Sequence, residues 1–495
     1  MLKAIIFSSL LLNIGLLIGR FSGFLRESLL AGSFGISAQA DVAVMMLSVP
    51  DLLINILVGG GLAAALIPEF DGDKKRSLRL WWQALLFFTL LFALLTCGLV
   101  FSVAPLIKLL APGFDESQIL LSLVPMQYVL WLVPMTVATG VISAYLQAYN
   151  RFGVAALGTL TINIVIIMGL VFISFYDGSL ITLAVFVLLG GLLRLAIQYV
   201  AAQGIAGKPV MSVSPWIINQ PLIVRFFQVA GTGCVLLCFP VIIRAFASYD
   251  GEGSVAQISY AIKLVELPLA VTVTFLATVL FPRLSHSYKE DFLLFQQLVV
   301  WGIRATLFLS LMSVAALVPV SAVLTSLVYG YGSMTDSDIS KVSSLLTIGL
   351  LYIPFMGMAT FATVVLNAQK DTKTPLLISL AALGGLLLLA FNAESSLLVL
   401  MKILVIAYAI AGIGSFIALL VKFPIIRRDV FDPGYLFVIL LLPLSLFWLL
   451  KISFIEPFGF ISLLIAFVLA GLGCLLGLLA VPIFRDKLMR KLRGL

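Results

Sequence analysis

Residues 20–53 read RFSGFLRESLLAGSFGISAQADVAVMMLSVPDLL, and they place charged side chains inside segments that are otherwise apolar. Apolar runs of this kind recur along the whole chain, and each is long enough to cross a hydrocarbon layer about 30 Å thick. The charges in the quoted stretch are Arg20, Arg26, Glu27, Asp41 and Asp51. Since a charge at membrane depth costs roughly 2.5–3.5 kcal/mol on insertion scales, these side chains indicate function.

The composition places the chain among membrane proteins. Of the 495 residues, 62% are hydrophobic and 11% are charged, whereas soluble proteins have about 45–50% apolar and about 25% charged residues. The mean hydropathy is +1.20. A β-barrel would show short segments of alternating polarity instead, so the sequence predicts an all-α polytopic membrane protein.

Polar segments divide the sequence into about fourteen predicted transmembrane helices. Their expected ranges are 4–32, 40–68, 80–104, 119–148, 154–175, 181–203, 221–248, 255–281, 293–328, 342–368, 375–393, 397–421, 434–453 and 457–483. The segment 293–328 is long for one span, and we expect it to tilt or break. The first run is interpreted as a retained span, because Arg20, Arg26 and Glu27 interrupt it where a signal peptide would be uncharged.

The loops between these spans alternate in charge. Basic loops include DGDKKRSLR, AGKP, QKDTK and the tail RDKLMRKLRGL, whereas GFDESQ, YDGEGS and NAESS are acidic or neutral. Because Lys and Arg concentrate in cytoplasmic loops, both termini are predicted to be cytoplasmic. Topology and contact with anionic membrane lipids then explain the net charge of +8, and no nucleic-acid partner is expected.

The two halves of the chain resemble each other when one is shifted along the other. A shift of 218 aligns Arg26 with Arg244, Gly35 with Gly253, Ala38 with Ala256, Gln39 with Gln257, Ala43 with Ala261 and Pro50 with Pro268. A shift of 220 aligns YLQAYN (145–150) with VLNAQK (365–370). Since the shift moves by six spans, the halves keep one orientation, as in parallel-repeat transporters with a substrate site between the halves. We therefore expect six-helix lobes at 1–207 and 208–425, related by a parallel pseudo-two-fold, and two additional spans with a basic cytoplasmic tail at 426–495.

Cations outnumber carboxylates inside the predicted spans. The basic residues are Arg20, Arg26, Arg194, Arg225, Arg244, Lys263, Arg304 and Lys402, and the acidic ones are Glu27, Asp41, Asp51 and Glu266. On a helix, Arg20 and Glu27 share a face within about 20°, and Arg26 lies about 80° round from Glu27. Because arginine forks match phosphate oxygens, this excess predicts a cavity for an anionic, phosphorylated substrate.

Two simpler interpretations of these charges stay open. Arg225, Arg244 and Lys402 lie near span ends, where long side chains can reach the interface. Lys263 and Glu266 are three residues apart on one helical face and could form a local ion pair.

Enzyme chemistry has little support in the sequence. His286 is the only histidine, and there is no nucleophile elbow, phosphate-binding loop or metal signature. Cys234 and Cys238 share a helical face, but no histidine or carboxylate accompanies them, so they are interpreted as core residues. We expect no catalytic residue, metal or cofactor.

Several motifs resemble those of one transporter family. In order between about residues 15 and 380 they are RFSGFLRESLLAGSFG, VPDLL, APGF, LQAYNRF, GSVAQISYAIKLVELP, TVLFPRLSHSY and NAQKDTKTP. They are similar to stretches of the MurJ/MviN family, the lipid II flippases of the multidrug/oligosaccharidyl-lipid/polysaccharide exporter superfamily. The resemblance implies two six-span lobes around a central cationic cavity, and two extra spans that form a groove for the lipid tail.

The resemblance also implies a function and a set of site residues. The protein would carry an undecaprenyl-pyrophosphate-linked glycan, with lipid II as the first candidate, across the bacterial inner membrane by alternating access. The expected substrate-binding residues are Arg20, Arg26, Asp41, Lys263 and Glu266, with Glu27, Asn55 and Arg244 as further candidates for the cavity. The cations would hold the pyrophosphate, and the carboxylates would orient them or the sugar, or open as ion-pair gates. A membrane potential or a coupling cation would drive transport.

The chain departs from the family pattern at a few positions. Ile54 and Asn55 stand where many members have two arginines, and Gly59 replaces an acidic residue. Ile262 and Lys263 stand where Asp-Arg is usual. These departures favour, as the alternative, a flippase for a lipid-linked exopolysaccharide or O-antigen unit. A multidrug antiporter and a non-transporting scaffold are weaker alternatives, because the cavity is cationic and the loops are short.

Overall fold

The computed structural model describes residues 2–53, 62–70, 74–149, 151–176, 178–206, 216–270, 272, 275–369, 371–394 and 396–453. Within these ranges every regular element is a helix. Apolar segments in lipid must satisfy their backbone hydrogen bonds internally, and a helix does this within one segment.

Within the described ranges, ten α-helices precede residue 250. They are α1 (Leu2–Phe34), α2 (Ala38–Leu53), α3 (Leu62–Leu66), α4 (Lys74–Phe101), α5 (Val103–Leu110), α6 (Glu116–Leu130), α7 (Leu132–Ala148), α8 (Phe152–Tyr176), α9 (Leu180–Ala206) and α10 (Gln220–Ala247). Short 3-10 turns lie at Ile67–Glu69 and Ser248–Asp250.

Ten further α-helices follow in the described part of the chain up to Ser453. They are α11 (Ser254–Leu269), α12 (Phe275–Glu290), α13 (Phe292–Leu317), α14 (Ser321–Tyr329), α15 (Asp336–Gly349), α16 (Ile353–Ala368), α17 (Lys373–Phe391), α18 (Leu397–Lys422), α19 (Ile426–Val430) and α20 (Pro433–Ser453). A 3-10 turn at Leu350–Tyr352 joins α15 to α16.

The helices agree with the predicted class. In the described part of the chain, nine helical segments are long and apolar enough to cross a membrane. The prediction of an all-helical polytopic membrane protein is therefore confirmed, and the number of about fourteen spans stays a prediction. The long predicted segment 293–328 does break, since α13 ends at Leu317 and α14 begins at Ser321.

The chain divides into two compact units. The first unit comprises Met1–Tyr260 together with Tyr331–Met334, and the second comprises Ala261–Gly330 with Thr335–Leu495. The segment Tyr331–Met334 belongs to the first unit because it bonds to α1. The backbone nitrogen of Ser333 donates to the carbonyl of Gly32 at 2.8 Å, and the hydroxyls of Tyr331 and Ser28 lie 2.8 Å apart. The lobe boundaries at 207 and 425 stay a prediction.

Each unit has its own aromatic core. In the first unit, Trp81 of α4 stacks on Tyr145 of α7 with ring centroids 5.0 Å apart, and both side chains are buried. In the second unit, Phe295 of α13 and Phe361 of α16 are fully buried in one hydrophobic cluster.

Candidate functional site

Arg26 forms the centre of a buried charged cluster in the first unit. It lies on α1, and only 3% of it is exposed. Its Nη2 donates to Oε1 of Glu27 at 2.8 Å and to Oδ2 of Asp51 at 2.7 Å, and its Nη1 donates to Oδ1 of Asp51 at 3.2 Å. Asp51 therefore receives the bidentate fork that arginine offers to carboxylates and phosphates alike.

Asn163 of α8 holds the same guanidinium from another helix. Its Oδ1 accepts from Nη1 of Arg26 at 3.2 Å. Its Nδ2 donates to the carbonyl of Gly19 at 3.1 Å and to Oγ of Ser22 at 3.0 Å, so both ends of the amide are bound. The side chain thereby orients Arg26 and fastens α8 to α1.

In the described part of the chain, the hydrogen bonds around Arg26 join one cation to two carboxylates. Glu27 is buried like Arg26, whereas 29% of the Asp51 side chain is exposed. Removing one partner of such a buried pair costs about 3–5 kcal/mol, because the remaining charge is left uncompensated. An incoming anion would therefore have to replace a carboxylate on Arg26, and Asp51 is the accessible one.

Arg20 differs from Arg26 in its surroundings, although both lie on α1. Its side chain is exposed, whereas Arg26 and Glu27 are buried. The sequence predicted that Arg20 and Glu27 share one face of α1. In the structure the Arg20 side chain is exposed and the Glu27 side chain is buried.

Asp41 caps a distant helix. It lies in the first turn of α2 and is fully buried. Its Oδ2 accepts from the backbone nitrogen of Gly253 and its Oδ1 from that of Ala256, both at 2.7 Å. Free backbone N–H groups and the helix dipole make a helix N-terminus a favourable place for a carboxylate. The structure therefore ties the start of α2 to the start of α11.

Two glycines shape this junction. Gly35, just before α2, has φ 61°, and Gly253, just before α11, has φ 80°. The hydroxyl of Tyr260 donates to the carbonyl of Gly35 at 3.1 Å. The two residues are among those aligned by the 218-residue shift, and both adopt a left-handed conformation that strongly favours glycine.

Arg244 ties α10 to α2. It is half-buried in the last turn of α10, and its Nη1 donates to Oγ of Ser48 at 3.1 Å.

Lys263 and Glu266 form a local ion pair on α11. The Nζ of Lys263 lies 3.1 Å from Oε2 of Glu266, and the two side chains are 21% and 42% exposed. The local ion pair that the three-residue spacing allowed is therefore present in the structure. Asn55, with Ile54 and Gly59, lies outside the described residues.

Comparison with known proteins decides the family. The family model described as lipid II flippase MurJ matches residues 30–470. The chain belongs to this family. The resemblance predicted from the motifs is confirmed, and the family description is that of a transporter rather than a catalytic enzyme.

Individual family members agree with this assignment. A probable lipid II flippase MurJ of Buchnera aphidicola subsp. Acyrthosiphon pisum is 30% identical over 384 residues, which cover 74% of each chain. A solved lipid II flippase MurJ in an inward closed conformation superposes with a TM-score of 0.82 at 20% identity, covering 97% of this chain and all of that one.

The fold extends to a neighbouring family. Solved multidrug resistance MATE family transporters of the MOP superfamily superpose with TM-scores of 0.70 for an inward-facing structure and 0.63 for an outward-facing one. The identities are 13% and 14%, and the coverage is 84% and 85% of this chain and 98% and 96% of those chains. At this identity the likeness concerns the fold alone.

Sequence reasoning did not find Asn163. It is uncharged, so a search for intramembrane charges passes over it. The available signal was a single amide side chain within the apolar helix α8, FGVAALGTLTINIVIIMGLVFISFY. A buried amide needs several hydrogen bonds, and the partners here come from α1.

Proposed function

We propose that this chain is a flippase that moves an undecaprenyl-pyrophosphate-linked saccharide, with lipid II as the first candidate, from the cytoplasmic to the outer leaflet. The observation that carries the proposal is the buried guanidinium of Arg26 on α1, whose fork donates to both carboxylate oxygens of Asp51 on α2. Within a family of lipid II flippases, such a fork suits a phosphate oxygen pair as well as a carboxylate.

Substrate binding would work as an exchange of anions on Arg26. Asp51 is partly exposed, so a pyrophosphate can displace it while Glu27 and Asn163 keep the guanidinium in place. Arg26 would then never be left without a negative partner, which avoids the cost of a lone buried charge. The exposed Arg20 on the same helix would contribute to the same pyrophosphate.

The other predicted residues have separate roles in this proposal. Asp41 would hold α2 and α11 together in one state of the transport cycle, since its oxygens are both bound by backbone nitrogens of α11 and the residue before it. The substrate-binding roles of Lys263 and Glu266 stay a prediction, and the ion pair between them would have to open for Lys263 to bind an anion.

Transport would occur by alternating access of two repeated six-helix lobes, with two further spans. Helix positions support the repeat, because α10, α13 and α14 begin 218 positions after α1, α4 and α5. The capping boxes that begin α6 and α15, at Asp115 and Thr335, are 220 positions apart, which is the second shift found in the sequence. Solved inward-facing and outward-facing transporters of the same fold support the alternation.

The proposal includes topology and energy source. Both termini would face the cytoplasm of a bacterium, with the chain in the inner membrane, because the basic loops all fall on one side. The membrane potential or a cation gradient would drive the cycle, since moving one charge across the membrane is worth about 2.3 kcal/mol per 100 mV.

The test is replacement of the resident lipid II flippase in a bacterium depleted of it. The parent chain should restore growth, whereas Arg26→Ala and Arg20→Ala chains that insert normally should not. Lys263→Ala tests the predicted role of the second unit in the same assay. Lys402→Ala is the matched control, because Lys402 is an exposed cation on α18.

The outcomes separate the alternatives. Failure of a well-inserted parent would reject lipid II and leave the polysaccharide-unit flippase, which the sequence departures at Ile54, Asn55 and Gly59 favour. Rescue by Arg26→Ala would reject the proposed anion exchange on Arg26.

A further inference from the structure

A second buried cation lies in the first unit, on α9. Arg194 is 2% exposed and Gln198, one turn later on the same face, is fully buried. Arg194 is the fifteenth of the 27 residues of this helix, which places it near the middle of a candidate membrane span. Among the described residues no carboxylate pairs with it, and its Nε has no hydrogen-bond partner.

The donors of Arg194 and Gln198 point to one place. Oγ of Ser143 on α7 donates to Oε1 of Gln198 at 3.3 Å, so the amide oxygen is used and Nε2 is left without a partner in the described structure. At Gly158 of α8, a Cβ atom would lie 2.4 Å from Nε2 of Gln198 and 2.9 Å from Nε of Arg194. The two nitrogens are therefore at most about 5.3 Å apart, near enough to share one acceptor.

The chemistry of this pair calls for an anion. Both open groups are N–H donors, and a buried donor without an acceptor destabilises the folded protein. A water molecule could accept from both, but it would leave the guanidinium charge uncompensated at membrane depth. An anion satisfies the donors and the charge together.

The packing limits the size of that anion. At position 158 only glycine fits, because the Cβ atom of any other residue would overlap Nε2 of Gln198 and Nε of Arg194. On α9, where it faces α7, a Cβ at Gly191 would lie 2.1 Å from Cδ1 of Leu132. These close approaches leave little space beside the two nitrogens, so an anion bound there has to be small.

Helix packing by itself does not require the charge. In α18, the fifteenth and nineteenth residues are Ala411 and Ser415, and both are buried. The same positions in α9 carry Arg194 and Gln198. A long apolar helix can therefore bury these two positions with small side chains.

We propose that Arg194 of α9 and Gln198, with the amide oriented by Ser143, form a binding site for a small inorganic anion of halide size. The site is built from α7, α8 and α9. It is separate from the Arg26 cluster and does not depend on the proposed transport function.

The test is the chloride dependence of thermal unfolding of the full-length protein in detergent. The protein is purified in sodium gluconate, and Tm is then measured by tryptophan fluorescence as chloride replaces gluconate at constant sodium. The parent should show a saturable rise in Tm of at least ~1 °C. Arg194→Met, which keeps much of the side-chain length without the charge, should show no rise. Lys402→Met, a matched loss of an exposed cation on α18, should keep it.

A second variant covers the case in which Arg194→Met does not fold. Gln198→Leu keeps the cation and removes one donor, so the chloride concentration at half-maximal rise should increase about tenfold. An unchanged midpoint in Gln198→Leu would overturn the site. The site would also be overturned if the parent had the same Tm in gluconate and in chloride, or if Arg194→Met kept the chloride-dependent rise in Tm. An equal rise in the Tm of the parent in sulfate at matched ionic strength would overturn it as well.

Discussion

The carboxylate of Asp41 accepts a hydrogen bond of 2.7 Å from the backbone nitrogen of Gly253, which lies 212 positions later in the chain. With the second bond from Ala256, it acts as the N-cap of a helix to which it does not belong. The junction of α2 and α11 thus depends on one buried side chain.

Replacing Asp41 by Ala should destabilise the protein strongly. Two charge-assisted hydrogen bonds are lost and two backbone donors lose their partners inside the structure, so we expect a loss of about 2–4 kcal/mol and failure in the growth-rescue assay. Asp115→Ala is the matched control, because Asp115 is an exposed residue that caps α6 in a capping box. It should cost about 1 kcal/mol and retain rescue. Equal Tm values for the two variants would contradict the role assigned to Asp41.

Gly253→Ala should be far more harmful than Gly251→Ala. Both glycines have positive φ, at 80° and 98°, so either alanine introduces backbone strain of about 1–2 kcal/mol. Only at Gly253 would the new Cβ overlap a neighbour, since it would lie 2.2 Å from Cγ2 of Ile36, whereas nothing lies within 4 Å at Gly251. The overlap should add about 1–3 kcal/mol. Tm measured on both purified variants checks this, and a larger loss at Gly251 would refute it.

Asn163→Ala should impair transport by releasing Arg26. The variant removes the acceptor that binds the Arg26 guanidinium and two hydrogen bonds from Asn163 to α1. We expect the free energy of unfolding to fall by about 1.5–3 kcal/mol and growth rescue to fail. Ser174→Ala removes another side-chain contact between the same two helices, the 3.1 Å pair with Ser33 at an exposed position. That control should change stability by less than about 0.5 kcal/mol and keep rescue. Normal rescue by Asn163→Ala would show that Arg26 needs no positioning from α8.

Acid should weaken the second unit through Asp371. The hydrogen bond from Nζ of Lys422, at 2.8 Å, lowers the pKa of Asp371 from its ordinary value of 3.8 to about 2. Because the folded pKa is the lower one, the stabilisation is complete above pH 3.8 and is lost as the pH falls through 2. Tm recorded between pH 5 and pH 2 should therefore decline in the parent and decline less in Asp371→Asn. Parallel curves for the two proteins would argue against this contribution.

The sequence predicts the helices well because each apolar run reports its own membrane crossing. It does not report breaks inside a run. The predicted span 119–148 is two helices joined at Trp131, and 342–368 is likewise two helices joined by the turn at Leu350–Tyr352. Hydropathy is continuous through both joints, so it carries no signal there.

The charged residues around Arg26 were predicted from the sequence, whereas its uncharged hydrogen-bond partner was not. The sequence marked Arg26, Glu27 and Asp51 as intramembrane charges, and the structure brings them together. It could not supply Asn163, which is 137 positions from Arg26, because a pairing at that separation is set by helix packing. The cap formed by Asp41 escaped prediction for the same reason.

The segment Tyr331–Met334 has a consequence for biogenesis. It bonds to Gly32 and Ser28 of α1, although about three hundred residues of chain separate them. A nascent chain released into the membrane as far as α10 lacks these partners, since the ribosome has not yet made them. The earliest helices therefore reach their final packing only after roughly two thirds of the polypeptide has been synthesised.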